Sequence, residues 1–182
     1  MGRTEGSNQV SVIDVLIVDD HPLLRQGLSR LLELEGKIKV VGQACNGLEA
    51  EELAPDVILL DINMPGMNGI EVAKILRERN PNIRLLVLTI HDDESYVNEM
   101  IRMGARGYLL KDSEPSQVVE AIEKVHCGET VFPAHLMERV MEHYHHIEVQ
   151  YGRLQSAATM DELALTTREI EILGLIVDGM SN

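Results

Sequence analysis

Residues 57–72 read VILLDINMPGMNGIEV, a stretch that begins with four consecutive apolar side chains followed by an aspartate. An apolar run of this length without polar alternation predicts a β-strand that is buried on both faces. The rigid turn at residues 64–66 follows, and Asn68 with Glu71 three residues later predicts a capped helix start. This stretch therefore predicts a strand, a turn and a helix, with Asp61 at the carboxyl end of the strand.

Four further short apolar runs alternate with longer segments of helical periodicity. The predicted strands are Val12–Asp19, Ile38–Gln43, Val57–Asp61, Arg84–Thr89 and Gly107–Lys111. The predicted helices are Pro22–Glu35, about Leu48–Leu53, Asn68–Arg79, Glu94–Met103 and Pro115–His126. Such alternation is typical of a parallel sheet covered by helices. We predict an α/β fold with a doubly wound five-stranded parallel sheet, in which ligands bind beyond the carboxyl ends of the strands.

Polar side chains stand at the carboxyl ends of four of these strands. Asp19 and Asp20 end the first strand, Asp61 ends the third, and Thr89 and Lys111 end the fourth and fifth. Three carboxylates at one edge repel one another and must share protons or hold a cation, for which Mg²⁺ is the natural choice. Together with a hydroxyl and an ammonium, they are typical of a phosphoryl site. The alternative is that Asp19 and Asp20 only cap the helix that follows.

Composition and charge narrow the class of protein. Of the 182 residues, 45% are hydrophobic and 25% are charged, which is an ordinary balance for a folded globular chain. The formal net charge of −14 disfavours contact with nucleic acid or with an anionic membrane. No apolar stretch approaches the roughly 18 residues that span a bilayer. Residues 1–11, predicted to be a disordered tail, lack the features of a secretory signal, so we expect an intracellular protein.

The chain has two cysteines, Cys45 and Cys127, which are far apart in the sequence and form no CxxC pair. In an intracellular protein this pattern predicts reduced thiols rather than a disulfide or a metal site. We expect both thiols to be largely buried.

Four ordered motifs carry a resemblance to a known family: VLIVDDHPLLRQGL, VILLDINMPGMNGIEV, LLVLTIHDDE and GARGYLLK. They resemble the receiver domain of two-component response regulators, and the resemblance covers about residues 12–127. It implies a flavodoxin-like fold with the strand order 2-1-3-4-5.

The resemblance also implies the chemistry of the site. Asp61 would accept a phosphoryl group from a sensor histidine kinase. Asp20, Asp61 and the backbone carbonyl of Asn63 would hold Mg²⁺, with Asp19 contributing through water. The protein would not be an enzyme beyond its own phosphorylation and dephosphorylation, because an aspartate-based phosphohydrolase needs a second acid where Asn63 stands.

The same resemblance implies how the site is read. Lys111 and Thr89 would contact the phosphoryl group, and Thr89 with Tyr108 would form a switch in which the Tyr108 ring turns inward. Phosphorylation would then change protein contacts, for example by forming a homodimer, with no membrane involved.

Residues 165–182, LTTREIEILGLIVDGMSN, resemble the opening of a LuxR-type helix-turn-helix domain, and this pairing is typical of NarL-like transcription regulators. The recognition helix that would lie in the DNA major groove comes later in that family. We therefore expect the intact protein to bind duplex promoter DNA and this truncated chain not to do so. Residues 128–164 are predicted to form a helical linker.

Two alternative functions remain, and the sequence departs from the family pattern at one segment. A stand-alone receiver would signal only through protein contacts, whereas a flavodoxin-like cofactor binder would need a Gly-rich phosphate loop that the acids replace. Between Asn46 and Asp56 the chain is about one helical turn shorter than is usual in the family. We expect a shortened second helix there.

Overall fold

The structure is a computed structural model that describes residues 12–45, 54–66 and 68–142. Its strands are β1 (Ile13–Val18), β2 (Ile38–Ala44), β3 (Val57–Leu60), β4 (Leu85–Thr89) and β5 (Gly107–Leu110). Four helices are α1 (Pro22–Leu34), α2 (Gly69–Arg79), α3 (Glu94–Arg102) and α4 (Pro115–His126). Residues 134–142 are also helical and are called α5. Every strand and helix predicted within these residues is present, with boundaries that differ by at most one position.

The strands pair in parallel in the order β2-β1-β3-β4-β5, as predicted. The register of β1 and β3 places Val18 opposite Leu60, so the residues that follow, Asp19 and Asp61, leave the sheet side by side. The backbone N–H of Asp61 donates to the carbonyl of Val18 at 2.8 Å. Backbone pairing thus places Asp19 and Asp61, two residues of the candidate site, next to each other.

Each face of the sheet carries its own hydrophobic core because alternate side chains of a strand point to opposite faces. On one face, Leu16, Leu60 and Val87 pack with α2, α3 and α5. On the other face, Ile17 and Leu59 pack with α1 and α4. Helices on both faces explain why β3 and β4 are buried along their whole length.

Helix α2 begins at the capping box that the sequence predicts. The Asn68 side chain accepts the N–H of Ile70 at 3.1 Å, and the Glu71 side chain accepts the N–H of Asn68 at 3.3 Å. These two hydrogen bonds satisfy backbone donors that the first turn of a helix leaves free. None of the described helices is long and apolar enough to cross a membrane.

One expectation from the sequence is wrong, and several concern residues that the structure does not describe. Neither Cys45 nor Cys127 forms a disulfide with a described residue, but both thiols are exposed rather than buried. Cys45 follows the last residue of β2 and Cys127 is the C-cap of α4, positions where the chain leaves the core. The predicted tail at 1–11, the short helix near 48–53 and the helix within 165–182 lie outside the described residues.

Gly69, the first residue of α2, packs against the backbone that follows β3. A Cβ atom at this position would overlap the Asp61 carbonyl oxygen and would lie 2.6 Å from the Ile62 Cα. Because both neighbours are backbone atoms, Gly69→Ala should destabilise the fold by about 1–3 kcal/mol. Urea unfolding followed by circular dichroism measures this change.

Gly27→Ala is the matched control, because Gly27 lies within α1 and an added methyl group there would meet no atom of the described residues within 4 Å. This substitution should leave stability unchanged or raise it by up to about 1 kcal/mol. Equal effects of the two substitutions would contradict the close packing assigned to Gly69.

Candidate functional site

The carboxyl ends of β1, β3 and β5 bring the predicted charged side chains together. Asp19 and Asp61 are buried, with exposed fractions of 3% and 2%, and Asp20 is partly exposed. Lys111, directly after β5, reaches across to both buried acids. Carboxylates are seldom buried without a compensating charge, so the position of Lys111 decides how this edge is stabilised.

The Lys111 ammonium lies between the two buried carboxylates. Its Nζ is 2.6 Å from Asp61 Oδ2 and 2.7 Å from Asp19 Oδ2. Burial lowers the pKa of Lys111, but the hydrogen bonds and charges of these two acids outweigh burial and raise the pKa above its usual 10.5. The ammonium therefore stays charged at neutral pH. Together with Asp20, the four groups carry a formal charge of −2, which corresponds to one divalent cation.

Backbone donors bind the other oxygens of the buried acids. The N–H of His21 donates to Asp19 Oδ1 at 2.7 Å, and the N–H of Asn63 donates to Asp61 Oδ1 at 3.2 Å. His21 is the N-cap residue of α1, so Asp19 does support the start of that helix. Capping does not account for its ion pair with Lys111, and the capping-only alternative is therefore insufficient.

Four side chains form a cluster that can hold a metal ion. One ligand atom each from Asp19, Asp20, His21 and Asp61 lies within 4.8 Å of all the others. Asp20 Oδ1 is covered from solvent and accepts no hydrogen bond from the described residues. His21 Nδ1 is 2.8 Å away, but this contact lacks hydrogen-bond geometry. A covered oxygen without a partner is costly, and a cation would satisfy it.

Thr89 and Tyr108 meet at the loop between β4 and α3. Thr89 is fully buried, and its Oγ1 accepts a long hydrogen bond of 3.4 Å from the N–H of His91. The Tyr108 ring is also buried, and its hydroxyl donates to the His91 carbonyl at 2.9 Å. Burial, together with the charges of Asp92 and Asp93, raises the pKa of Tyr108, so the hydroxyl keeps its proton. Because the Tyr108 ring is buried, it occupies the inward position in this structure. Its role as a switch stays a prediction.

Helix α5 is attached to the same loop. His135 Nε2 lies 3.2 Å from Asp92 Oδ1, and Arg139 donates to the Asp92 carbonyl at 3.2 Å. Below these polar contacts, Leu136 and Val140 are buried in the core that contains Tyr108. The loop after Thr89 thus connects the candidate site to α5, the last helix of the described residues.

No role is predicted from the sequence for His21, His91 or Asp92. Only His21 had a usable signal, since it directly follows two acids at a strand end. His91 acts through its backbone, and Asp92 contacts residues 43 and 47 positions away, so no local pattern indicates either of them.

Comparisons with known proteins agree with this geometry. Residues 15–123 match the family model of the response regulator receiver domain. The chain is 38% identical over 181 residues to the transcriptional regulatory protein DegU of Brevibacillus brevis, covering 93% of this chain and 77% of the relative. It is 40% identical over 173 residues to the nitrate/nitrite response regulator protein NarL of Escherichia coli K12, covering 92% and 76%.

A solved structure shares the fold. The two-component response regulator of the LuxR family from Aurantimonas sp. SI85-9A1 has a TM-score of 0.69 and 31% identity, covering 74% of this chain and 99% of that one. The strand order, the acids at the strand ends and these similarities lead to one conclusion. The chain belongs to the response regulator family, with relatives of the NarL and LuxR type, and it contains a receiver domain.

Proposed function

We propose that Asp61 is the phosphoacceptor of this two-component response regulator and that a sensor histidine kinase supplies the phosphoryl group. The contact between Asp61 and the Lys111 ammonium carries the proposal. The sheet order supports Asp61 over the other acids, because β3 lies between β1, which Asp19 follows directly, and β4, which ends at Thr89. A group bound to Asp61 is therefore within reach of residues on both sides.

In the proposed reaction, a carboxylate oxygen of Asp61 attacks the phosphorus atom of the phosphohistidine. A P–O bond forms, the P–N bond breaks, and its electron pair goes to the imidazole nitrogen of the kinase. Negative charge on the transferred oxygens is stabilised by the Lys111 ammonium and by the Thr89 hydroxyl. Self-phosphorylation and self-dephosphorylation complete the chemistry of this chain, since Asn63 leaves it without the second acid of a phosphohydrolase.

The proposed cation is Mg²⁺, held by Asp20, Asp61 and the backbone carbonyl of Asn63, with Asp19 contributing through water. The partnerless oxygen of Asp20 and the formal charge of −2 support a divalent ion with oxygen ligands. When bound, the ion would reduce the repulsion between the carboxylate and the incoming phosphoryl group.

The proposed readout runs from Thr89 through the β4–α3 loop. Tyr108 contacts this loop from the core side, and Asp92 in the loop contacts α5. A shift of Thr89 would therefore be transmitted both to Tyr108 and to α5. We propose that phosphorylation repacks this region and favours a homodimer. We also propose a receiver domain at 12–127, a helical linker at 128–164 and the first helix of a LuxR-type DNA-binding domain at 165–182. The intact protein would act on promoter DNA in the cytoplasm.

Asp61→Asn should abolish phosphoryl uptake, because the amide removes the attacking oxygen while keeping the shape of the side chain. Intact-mass measurement after incubation with Mg²⁺ and a small phosphodonor tests this. Wild type should gain one phosphoryl group, and the gain should disappear when Mg²⁺ is chelated. Asp93→Asn is the control, since Asp93 caps α3 and asparagine also caps well. Uptake that persists in Asp61→Asn would overturn the assignment.

Lys111→Ala should impair the response more than the uptake, because Mg²⁺ can still compensate the acids whereas the contact that aligns the phosphoryl group is lost. Changes in the NMR chemical shifts of the β4–α3 loop on phosphorylation report the response, and the gain in intact mass reports phosphoryl uptake. Lys124→Ala, which removes an exposed ion pair with Glu120 on α4, should behave like wild type. Full loop shifts in Lys111→Ala would contradict the proposed role.

Tyr108→Phe should leave uptake unchanged but weaken both the fold and the response, because the His91 carbonyl loses its donor. Removing such a hydrogen bond costs about 1 kcal/mol, measurable by urea unfolding. Tyr96→Phe is the control, since the Tyr96 ring stacks on His91 with centroids 4.3 Å apart and phenylalanine keeps that ring. An undiminished loop response in Tyr108→Phe would remove Tyr108 from the switch.

A further inference from the structure

We propose that His21 is a nitrogen ligand of the divalent-metal site, and that it raises the affinity of the site for transition-metal ions such as Ni²⁺ far more than for Mg²⁺. The inference rests on the proposed metal site at Asp20 and Asp61, and it adds a ligand of a different chemical type to that site. Its starting point is the His21 imidazole, which lies against two of the three acids at the strand ends.

The spacing of the ligand atoms fits one metal ion. His21 Nδ1 is 2.8 Å from Asp20 Oδ1 and 3.3 Å from Asp19 Oδ1. Neighbouring ligands on an octahedral ion with bonds of about 2.1 Å are about 3.0 Å apart, and opposite ligands are about 4.2 Å apart. The ligand atoms of the cluster that includes Asp61 all lie within 4.8 Å of one another, which is close to these separations.

The His21 side chain is available for this role. It is 65% exposed, so the core does not require its ring, and it makes no side-chain hydrogen bond that caps α1. Its backbone is fixed, because its N–H donates to Asp19 Oδ1 and the next residue is Pro22. The imidazole is therefore held at the edge of the acid cluster and can coordinate through Nδ1.

The unsatisfied oxygen of Asp20 points to the same ligand. Among the described residues, Asp20 Oδ1 is covered and accepts no hydrogen bond even though His21 Nδ1 lies next to it. Because the two atoms are in contact without a hydrogen bond, a neutral His21 leaves both of them available to a third partner. A cation with mixed oxygen and nitrogen ligands satisfies both atoms, whereas a hydrogen bond between the two side chains would leave the excess negative charge of the cluster uncompensated.

Ligand type then determines which ion is preferred. Mg²⁺ favours oxygen ligands, whereas an imidazole nitrogen suits Ni²⁺, Cu²⁺ and Zn²⁺, which also bind most nitrogen and oxygen sites more tightly. A neutral imidazole adds a ligand without changing the charge of the cluster. His21 should therefore increase the affinity for Ni²⁺ far more than the affinity for Mg²⁺.

The test is displacement of Mn²⁺ from the whole chain by Ni²⁺ and, separately, by Mg²⁺. The electron paramagnetic resonance signal of released Mn²⁺ reports occupancy of the site, at one fixed pH. Mn²⁺ is a suitable probe because it favours carboxylate sites and binds isolated histidines weakly. Wild type is compared with His21→Ala and with His135→Ala, which removes an imidazole that is 56% exposed beside Asp92 but outside the cluster.

Wild type and His135→Ala should release Mn²⁺ at a Ni²⁺ concentration lower by about tenfold or more than His21→Ala requires. Displacement by Mg²⁺ should be the same in all three proteins within a factor of about two. Equal displacement by Ni²⁺ in wild type and His21→Ala, with Mn²⁺ bound and Mg²⁺ competing normally, would overturn the role of His21 alone. A wild type that binds neither Mn²⁺ nor Mg²⁺ would overturn the proposed metal site as well.

Discussion

The position of the Lys111 ammonium between Asp19 and Asp61 is the interaction on which this edge of the sheet depends. Two carboxylates that are almost fully buried would repel each other and lose their hydration, and one shared cation offsets part of both costs. The three residues come from β1, β3 and β5, so only a sheet that ends all three strands at one edge can bring them together. The remaining formal charge of −2 suits the divalent ion that this acidic cluster could hold.

The two sides of Asp61 are held in different ways. On the side of β1 and α2, the backbone is fixed by pairing with Val18 and by the close approach of Gly69. On the side of β4, the loop after Thr89 is held by a long hydrogen bond from the His91 N–H, by the Tyr108 hydroxyl that donates to the His91 carbonyl, and by surface contacts to α5. This difference suits the proposed phosphorylation switch, because charge added at Asp61 would act on a loop held by a few side-chain contacts while strand pairing and close packing hold the Asp61 backbone.

Much of this arrangement could be predicted from the sequence because its signals are local. An apolar run that ends in Asp61 specifies a buried strand and its polar end, and the Asn68 box specifies a helix start. The exposed thiols, the partnerless Asp20 oxygen and the contact between Asp92 and α5 could not be predicted. They depend on side-chain directions and on residues far apart in the chain, such as His135, 43 positions from Asp92.

The function proposed above depends on Asp61 carrying the phosphoryl group. This is tested by phosphorylating the chain with a small phosphodonor and Mg²⁺, reducing the acyl phosphate with borohydride, and locating the modification by peptide mass spectrometry. Reduction converts an aspartyl phosphate into homoserine, so we expect homoserine at position 61 and aspartate at positions 19 and 20. Homoserine at another position, with Asp61 unchanged, would contradict it.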